Sequence, residues 1–374
     1  MGLFRLLLAL AVVAAHAGPA FGLDWLALTG GPLAVQIFYV ISGFYMALVL
    51  NEKYVGEGAY FTFVRARLWR LLPVFWVVLV ATLLAAFVIH AACGRDIPPL
   101  AHWRAHGAAM PWSHWLGLLL VNGTIVGQDV VSFLALDPVQ HELFFTADFQ
   151  RAALPAWRFL FVPQAWTVGV ELMFYAVAPC LVRRRSGVLL ALIAASLMLR
   201  VGLMHKFRLG HDPWTYRFFP TELALFLAGA WAWRCHGFLQ RRGWLRPWLC
   251  ASAGAIAIAL VSTYPLWPAP AQAAPYGLPG LLAAVPLLLP FVFESTRRLG
   301  FDRELGELSY PVYLVHYPLV FCIGALDIPW LAEHRGAVVL VASLVLAHLL
   351  WRGVGRRLEA SRQSFSTRRA GLRT

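Results

Sequence analysis

Charge is what this sequence has least of. Asp, Glu, Lys and Arg together make up 13% of its 374 residues, about half of the roughly 25% carried by soluble domains. So little charge cannot clothe a water-soluble fold of this size, and that class is excluded. Acidic residues are scarcer than basic ones, 18 against 31, and lysine occurs only as Lys53 and Lys206. A net charge of +13 would suit a nucleic-acid binder if the cations shared one face. Apolar runs instead divide them into short clusters, which rules out that partner. Cysteine is the next scarcity. Cys93, Cys180, Cys235, Cys250 and Cys322 are odd in number, scattered and without a C-x-x-C pair. Neither a disulfide framework nor a zinc site follows, and no metal is expected. His102 and His106 have i,i+4 spacing but no third ligand or acidic motif beside them. Internal repeats are missing as well, and low complexity is confined to PLWPAPAQAAPYG, residues 265–277, which reads as a loop.

What is abundant is apolar: 60% of the chain. Stretches near the roughly 20 residues a helical span needs fall at 3–21, 31–50, 71–92, 165–182, 187–204, 218–235, 247–264, 278–294, 306–326 and 336–355. A further candidate, WSHWLGLLLVNGTIVG at 112–127, is shorter and carries Ser, His, Asn and Gly. The positive-inside rule decides its status. If 112–127 does not cross, one side of the membrane receives 22 of the 31 Lys and Arg. If it crosses, the RRR run at 183–185, the pair at 241–242 and the basic tail all move to the outside. The expected fold is therefore all-α: a polytopic integral membrane protein of about ten transmembrane helices, with both termini cytoplasmic. Residues 1–360 form the membrane domain, 93–164 an extracytoplasmic loop with 112–127 re-entrant or interfacial, and 361–374 a basic cytoplasmic tail. The expected location is the cell inner (plasma) membrane.

The first run, FRLLLALAVVAAHAG at 4–18, has two readings. Ala15-His16-Ala17 fits an A-x-A cleavage site, so the run could be a signal peptide. Removing it would leave an odd number of spans and reverse the charge bias, which favours a retained first helix. In that helix Arg5 and His16 are eleven residues apart, three turns and about 20°, so they share a face roughly 16 Å apart.

Ionisable groups inside a bilayer cost about 2.5 kcal/mol or more and are functional candidates by default. His16 falls in the outer half of the first helix. Glu171, in AWTVGVELMFYAVAP, needs a partner, and His16 fits by depth. Glu222 sits near the outer end of its helix, and His316 lies mid-depth with Tyr313 three residues before it. Arg67 and Arg70, three apart, share a face and suit a phosphate clamp, or form an ordinary basic flank. Ser42-Gly43 marks either close helix packing or room for a ligand chain.

These residues resemble a known family. Arg5-x10-His16, ISGF at 41–44, Phe63-x3-Arg67-x2-Arg70-Leu71-x-Pro73, Trp166-x4-Glu171 and SYPVYLVHYP at 309–318 look like the acyltransferase family 3 membrane domain, the integral-membrane sugar O-acyltransferases. One position departs: Ala66 precedes Arg67 where a basic residue is common, with Arg65 one step earlier. No esterase-like segment follows the last span, so transfer is expected to finish within the membrane domain. The resemblance implies an acyl-CoA donor, usually acetyl-CoA, and a hydroxyl of a cell-surface or lipid-linked carbohydrate as acceptor. By the same match His16 is the catalytic histidine, and Arg5, Arg67 and Arg70 serve the donor.

The mechanism expected from this division runs by depth. CoA docks at Arg67, Arg70 and Arg5, its arm passes Ser42 and Gly43, and the thioester meets His16, which Glu171 orients as general base. Glu222, Tyr313 and His316 are expected on the acceptor side. Membrane lipids surround the whole, and nucleic acid takes no part. Alternatives are acylation of a small glycosylated metabolite such as a macrolide, or a transporter or flippase using buried His and Glu. Transporters often show inverted repeats, and none is visible here.

Overall fold

The computed structural model describes residues 1–21, 29–267 and 278–358. Most of the 265–277 loop and the 361–374 tail lie outside the described residues. Each apolar window falls on a helix. In chain order these are α1 (Gly2–Ala17), α2 (Gly31–Glu52), α3 (Ala59–Cys93), α4 (Pro98–His106), α5 (Trp112–Thr124), α6 (Trp166–Leu181) and α7 (Ser186–Lys206). Then come α8 (Phe219–Arg241), α9 (Pro247–Thr263), α10 (Leu278–Thr296), α11 (Gly300–Leu326), α12 (Pro329–Glu333) and α13 (Arg335–Leu350). Among the described residues six helices, α2, α3, α7, α10, α11 and α13 with its continuation, are long and apolar enough to cross a bilayer. The chain is an all-α membrane protein.

Several helix bounds differ from the sequence reading: α8 runs on to Arg241, α11 begins at Gly300, and two further shifts have a clear local cause. α1 stops at Ala17 because Gly18 takes a φ of +93° and Pro19 follows; that backbone region belongs to glycine, and proline cannot resume the helix. α3 starts at Ala59 rather than near 71. Arg65, Arg67 and Arg70 are good helix formers that a hydropathy window discounts.

Long-range hydrogen bonds sort the helix termini into two ends. At one, Asp302 of α11 accepts from the backbone N–H groups of Gly2 (2.7 Å) and Leu3 (2.8 Å). Those are free donors of the first turn of α1, and a carboxylate there also meets the positive end of the helix dipole. Arg183 donates to the Leu50 carbonyl at the end of α2 (2.6 Å). Arg234, near the end of α8, donates to the Val182 carbonyl after α6 (3.0 Å) and to Ser186 Oγ at the start of α7 (3.1 Å). Arg70 of α3 pairs with Glu307 of α11 at 3.2 Å. The basic clusters on these termini therefore share one end of the bundle. At the other, Arg335 of α13 donates to the Ala17 carbonyl (2.9 Å) and Arg95 to the Leu326 carbonyl (2.8 Å).

α2 is the buried centre, with Leu33, Ile37, Ile41 and Phe44 inside. It meets α8 backbone to backbone. A methyl group added at Gly43 would lie 1.8 Å from the Phe226 carbonyl oxygen, and one added at Gly229 would lie 1.8 Å from that of Val40. Of the two readings left open for Gly43, close helix packing is the one the structure shows. α7 is the opposite case. Leu190, Leu197, Met198, Leu199 and Val201 face outward, which lipid tails accept as readily as a protein core does.

The connection between α3 and α6 is more than a loop. It carries α4, α5 and a two-stranded antiparallel ladder, β1 (Leu134–Leu136) against β2 (Leu143–Phe145), with Ala135 opposite Phe144. Leu118, Leu136, Ala156, Phe159 and Leu160 give it a core of its own. Asn122 ties that core together, bonding the Phe159 carbonyl (3.1 Å) and the Phe161 N–H (2.9 Å). α5 has 13 residues, roughly 20 Å of helix, too short to cross.

Asp129 of this connection is buried against α6: its Oδ1 has no hydrogen-bond partner among the described residues and lies 3.0 Å from where a methyl on Gly169 would stand. Burial pushes its carboxyl up from 3.8 to about 6. The group therefore holds its proton more tightly when folded. Its contribution is complete below pH 3.8 and is lost as pH rises to about 6. Asp129→Asn removes that loss, and thermal unfolding in detergent at neutral pH is expected to show a gain of up to about 3 kcal/mol. No gain at neutral pH, or a gain as large below pH 4, would contradict it.

Candidate active site

A cavity of about 450 Å³ runs inward from the basic end, between α1, α2, α3, α6, α10 and α11. Helical periodicity selects the side chains that face it. Tyr39, Ser42, Met46, Val49 and Lys53 form one stripe of α2; Thr167, Glu171 and Tyr175 form one stripe of α6; Arg67 and Arg70 lie together on α3. Six basic side chains line the wall (Arg5, Lys53, Arg67, Arg70, Arg297, Arg303) against three carboxylates (Glu171, Asp302, Glu307). Each carboxylate is engaged. Asp302 caps α1, Glu307 holds Arg70, and Glu171 Oε1 accepts from the Ser42 and Tyr175 hydroxyls, each at 2.5 Å.

Arg67 is different. It is 5% exposed, lies over the Phe63 ring at 5.7 Å, and its Nε has no hydrogen-bond partner among the described residues. An unfilled donor on a buried cation is costly, and an anionic oxygen is the group that would fill it. Tyr39 adds, on the same wall, a buried hydroxyl that also has no partner among the described residues.

Tyr313 and Thr167 line the inner end of the cavity. Tyr313 Oη donates to the Gln164 carbonyl and accepts from Thr167 Oγ1, both at 2.9 Å. Beyond this knot stand two histidines. His316, fully buried, has Nδ1 2.8 Å from the Tyr313 carbonyl and Nε2 3.1 Å from His16 Nδ1. His16 is exposed at the last turn of α1, stacked on His316 at 5.1 Å and edge-on to Tyr317 at 4.8 Å.

The sequence-derived candidates divide accordingly. Arg5, Ser42, Arg67, Arg70, Glu171 and Tyr313 all line the one cavity. Gly43 does not; it faces α8. The expected pairing of Glu171 with His16 is absent, because the carboxylate faces the cavity hydroxyls while the imidazole faces α11. Glu222 reaches neither group. It is fully buried, ion-paired with Arg200 and bonded by Gln36 Nε2 at 3.3 Å. The passage expected along α1 does not extend to His16: neither it nor His316 is among the residues that line the cavity, while Tyr313 is. Sequence reasoning also passed over Tyr39 and Thr167. Each could have been found by period, Tyr39 three residues before Ser42 and Thr167 four before Glu171.

No curated protein and no solved structure is significantly similar to the chain. A family model described as an acyltransferase domain does match, over residues 1–352, which takes in every element of the cavity and the histidine pair. The chain belongs to acyltransferase family 3.

Proposed function

We propose that this membrane acyltransferase moves an acyl group, acetyl in the first instance, from acyl-CoA in the basic cavity to a hydroxyl of a cell-surface or lipid-linked carbohydrate, with His16 as general base. The observation that carries the reading is the cavity itself: a chamber of about 450 Å³ whose wall has six basic side chains against three carboxylates and a buried guanidinium whose Nε has no partner among the described residues. CoA is a polyanion at one end and a narrow neutral arm at the other. Its phosphates suit Arg67, Arg70 and Arg5, and the arm suits the stripe of Ser42 and Tyr39 leading inward.

Positive charge favours the cytoplasmic side of short connections, so the basic end faces the cytoplasm and the long connection lies outside the plasma membrane. The thioester then approaches Tyr313 from within while the acceptor hydroxyl reaches the exposed His16 from without. Tyr313 swings aside to join them. An imidazole with an ordinary pKa of about 6.5 is fitted to take the hydroxyl proton near neutral pH.

Titration of purified protein with acetyl-CoA tests the donor site. Charge-assisted hydrogen bonds contribute about 1.5–3 kcal/mol each, so Arg67→Ala with Arg70→Ala is expected to weaken acetyl-CoA binding by about 100-fold or more. The double variant should stay monodisperse. Undiminished affinity would remove the cavity from the reaction.

A further inference from the structure

The contact between the two histidines fixes more than their distance. A backbone carbonyl can only accept a hydrogen bond. His316 Nδ1 lies 2.8 Å from the Tyr313 carbonyl and so carries a proton. His16 Nδ1 lies 3.0 Å from the Val12 carbonyl and so carries one too. Two N–H groups cannot point at each other across the 3.1 Å between His16 Nδ1 and His316 Nε2. The second nitrogen of His316 is therefore a bare lone pair, and that ring is neutral. His16 Nδ1–H is shared between the Val12 carbonyl and this lone pair. The remaining nitrogen of His16, Nε2, is left unprotonated and is bonded to no described residue.

We propose that His316 is the positioning residue of this site, holding His16 in the Nδ1–H tautomer so that Nε2 is the basic atom. The inference rests on the reading of His16 as general base. In the transfer step the acceptor O–H proton passes to His16 Nε2 as its oxygen bonds to the thioester carbonyl carbon. The C–S bond then breaks, and the CoA thiolate recovers that proton from Nε2. Between those events His16 is an imidazolium, and its Nδ1–H points at a neutral acceptor already in place. A preformed partner for charge that appears only during reaction lowers the barrier without reorganisation. His316 thus takes the place that Glu171 was expected to fill, and supplies an acceptor without adding a second charge.

Two substitutions separate positioning from packing. Leucine at 316 fills similar space and accepts nothing. Glutamine can set its carboxamide oxygen where Nε2 stood and accept from His16 Nδ1–H. His316→Leu is expected to lower kcat for acetyl transfer by about 100-fold with KM for acetyl-CoA unchanged, and His316→Gln to recover most of it. Nitrogen NMR of histidine-labelled protein in detergent reports the tautomer directly, with the His16 signals identified by their loss in His16→Gln. The unsubstituted protein should show a protonated Nδ1 and a bare Nε2, His316→Leu a mixture of tautomers, and His316→Gln the parent pattern. A bare Nδ1 in the unsubstituted protein overturns the proposal even if neither variant folds. So does a His316→Leu protein that keeps the parent pattern, or equal losses of kcat in both variants. The expected tautomers in a protein that transfers nothing would uphold the pairing and defeat the acyltransfer mechanism instead.

Discussion

His16→Ala is expected to abolish acyl transfer while leaving acetyl-CoA binding intact. The variant keeps every side chain of the basic cavity, since His16 is not among those lining it. It also leaves the bundle undisturbed, because the ring is exposed at the end of α1 and its aromatic contacts among the described residues are to His316 and Tyr317. What it removes, on the reading proposed above, is the nitrogen that takes the acceptor proton, His16 Nε2. Positioned general bases contribute about 10²–10⁴-fold to rate, so turnover should fall by that factor or below detection. Release of free CoA and the mass of the acceptor glycan, followed together in membranes, give the measurement. A His16→Ala protein that still acetylated its acceptor at a tenth of the parent rate would be incompatible with the mechanism. The same assay against acceptors of different class decides between envelope carbohydrate and a small glycosylated metabolite.

The second large effect is on stability. Gly43→Ala adds one methyl group, and that group would stand 1.8 Å from the Phe226 carbonyl oxygen. A carbon and a carbonyl oxygen approach to about 3.3 Å at the closest, so α2 and α8 must part by about 1.5 Å. The reciprocal contact of Gly229 with Val40 opens with them. These two helices contribute Ile37, Ile41, Phe44 and Phe226, all buried in the main core. Separating them strips contacts along the whole seam, a loss expected above about 4 kcal/mol. Thermal unfolding in detergent should show it, with Gly117→Ala as the control, since nothing lies within 4 Å of a methyl at that position. If both alanine variants melted with the parent, the backbone contact would not be what holds α2 in place.

The helices were legible because apolar length is written in one residue type after another. The basic cavity was legible in part, since Arg67 and Arg70 share a face of one helix and period alone brings them together. Depth was a poorer guide. Glu171 and His16 were matched by rise along their helix axes, which fixes height and leaves azimuth open. Glu171 belongs to the stripe of Thr167 and Tyr175 and so turns inward to Ser42, while His16 turns toward α11. His316 lies 300 residues from His16, and no spacing rule links residues that far apart. The small core between α3 and α6 was hidden for a related reason: its members, from Met110 to Leu160, come from a helix, a strand and short turns and so share no single period.

Tyr313 also bears on what could leak through this protein. A bilayer that stores a proton gradient is drained by any continuous file of water that threads it, and a chamber of about 450 Å³ running inward from one end is a step toward one. At its inner end the Tyr313 hydroxyl donates to the Gln164 carbonyl and accepts from Thr167 Oγ1. A peptide carbonyl accepts a hydrogen bond and has no proton to pass on, so with Tyr313 in this position that series of bonds ends inside the protein, and leakage is expected only while the side chain is displaced.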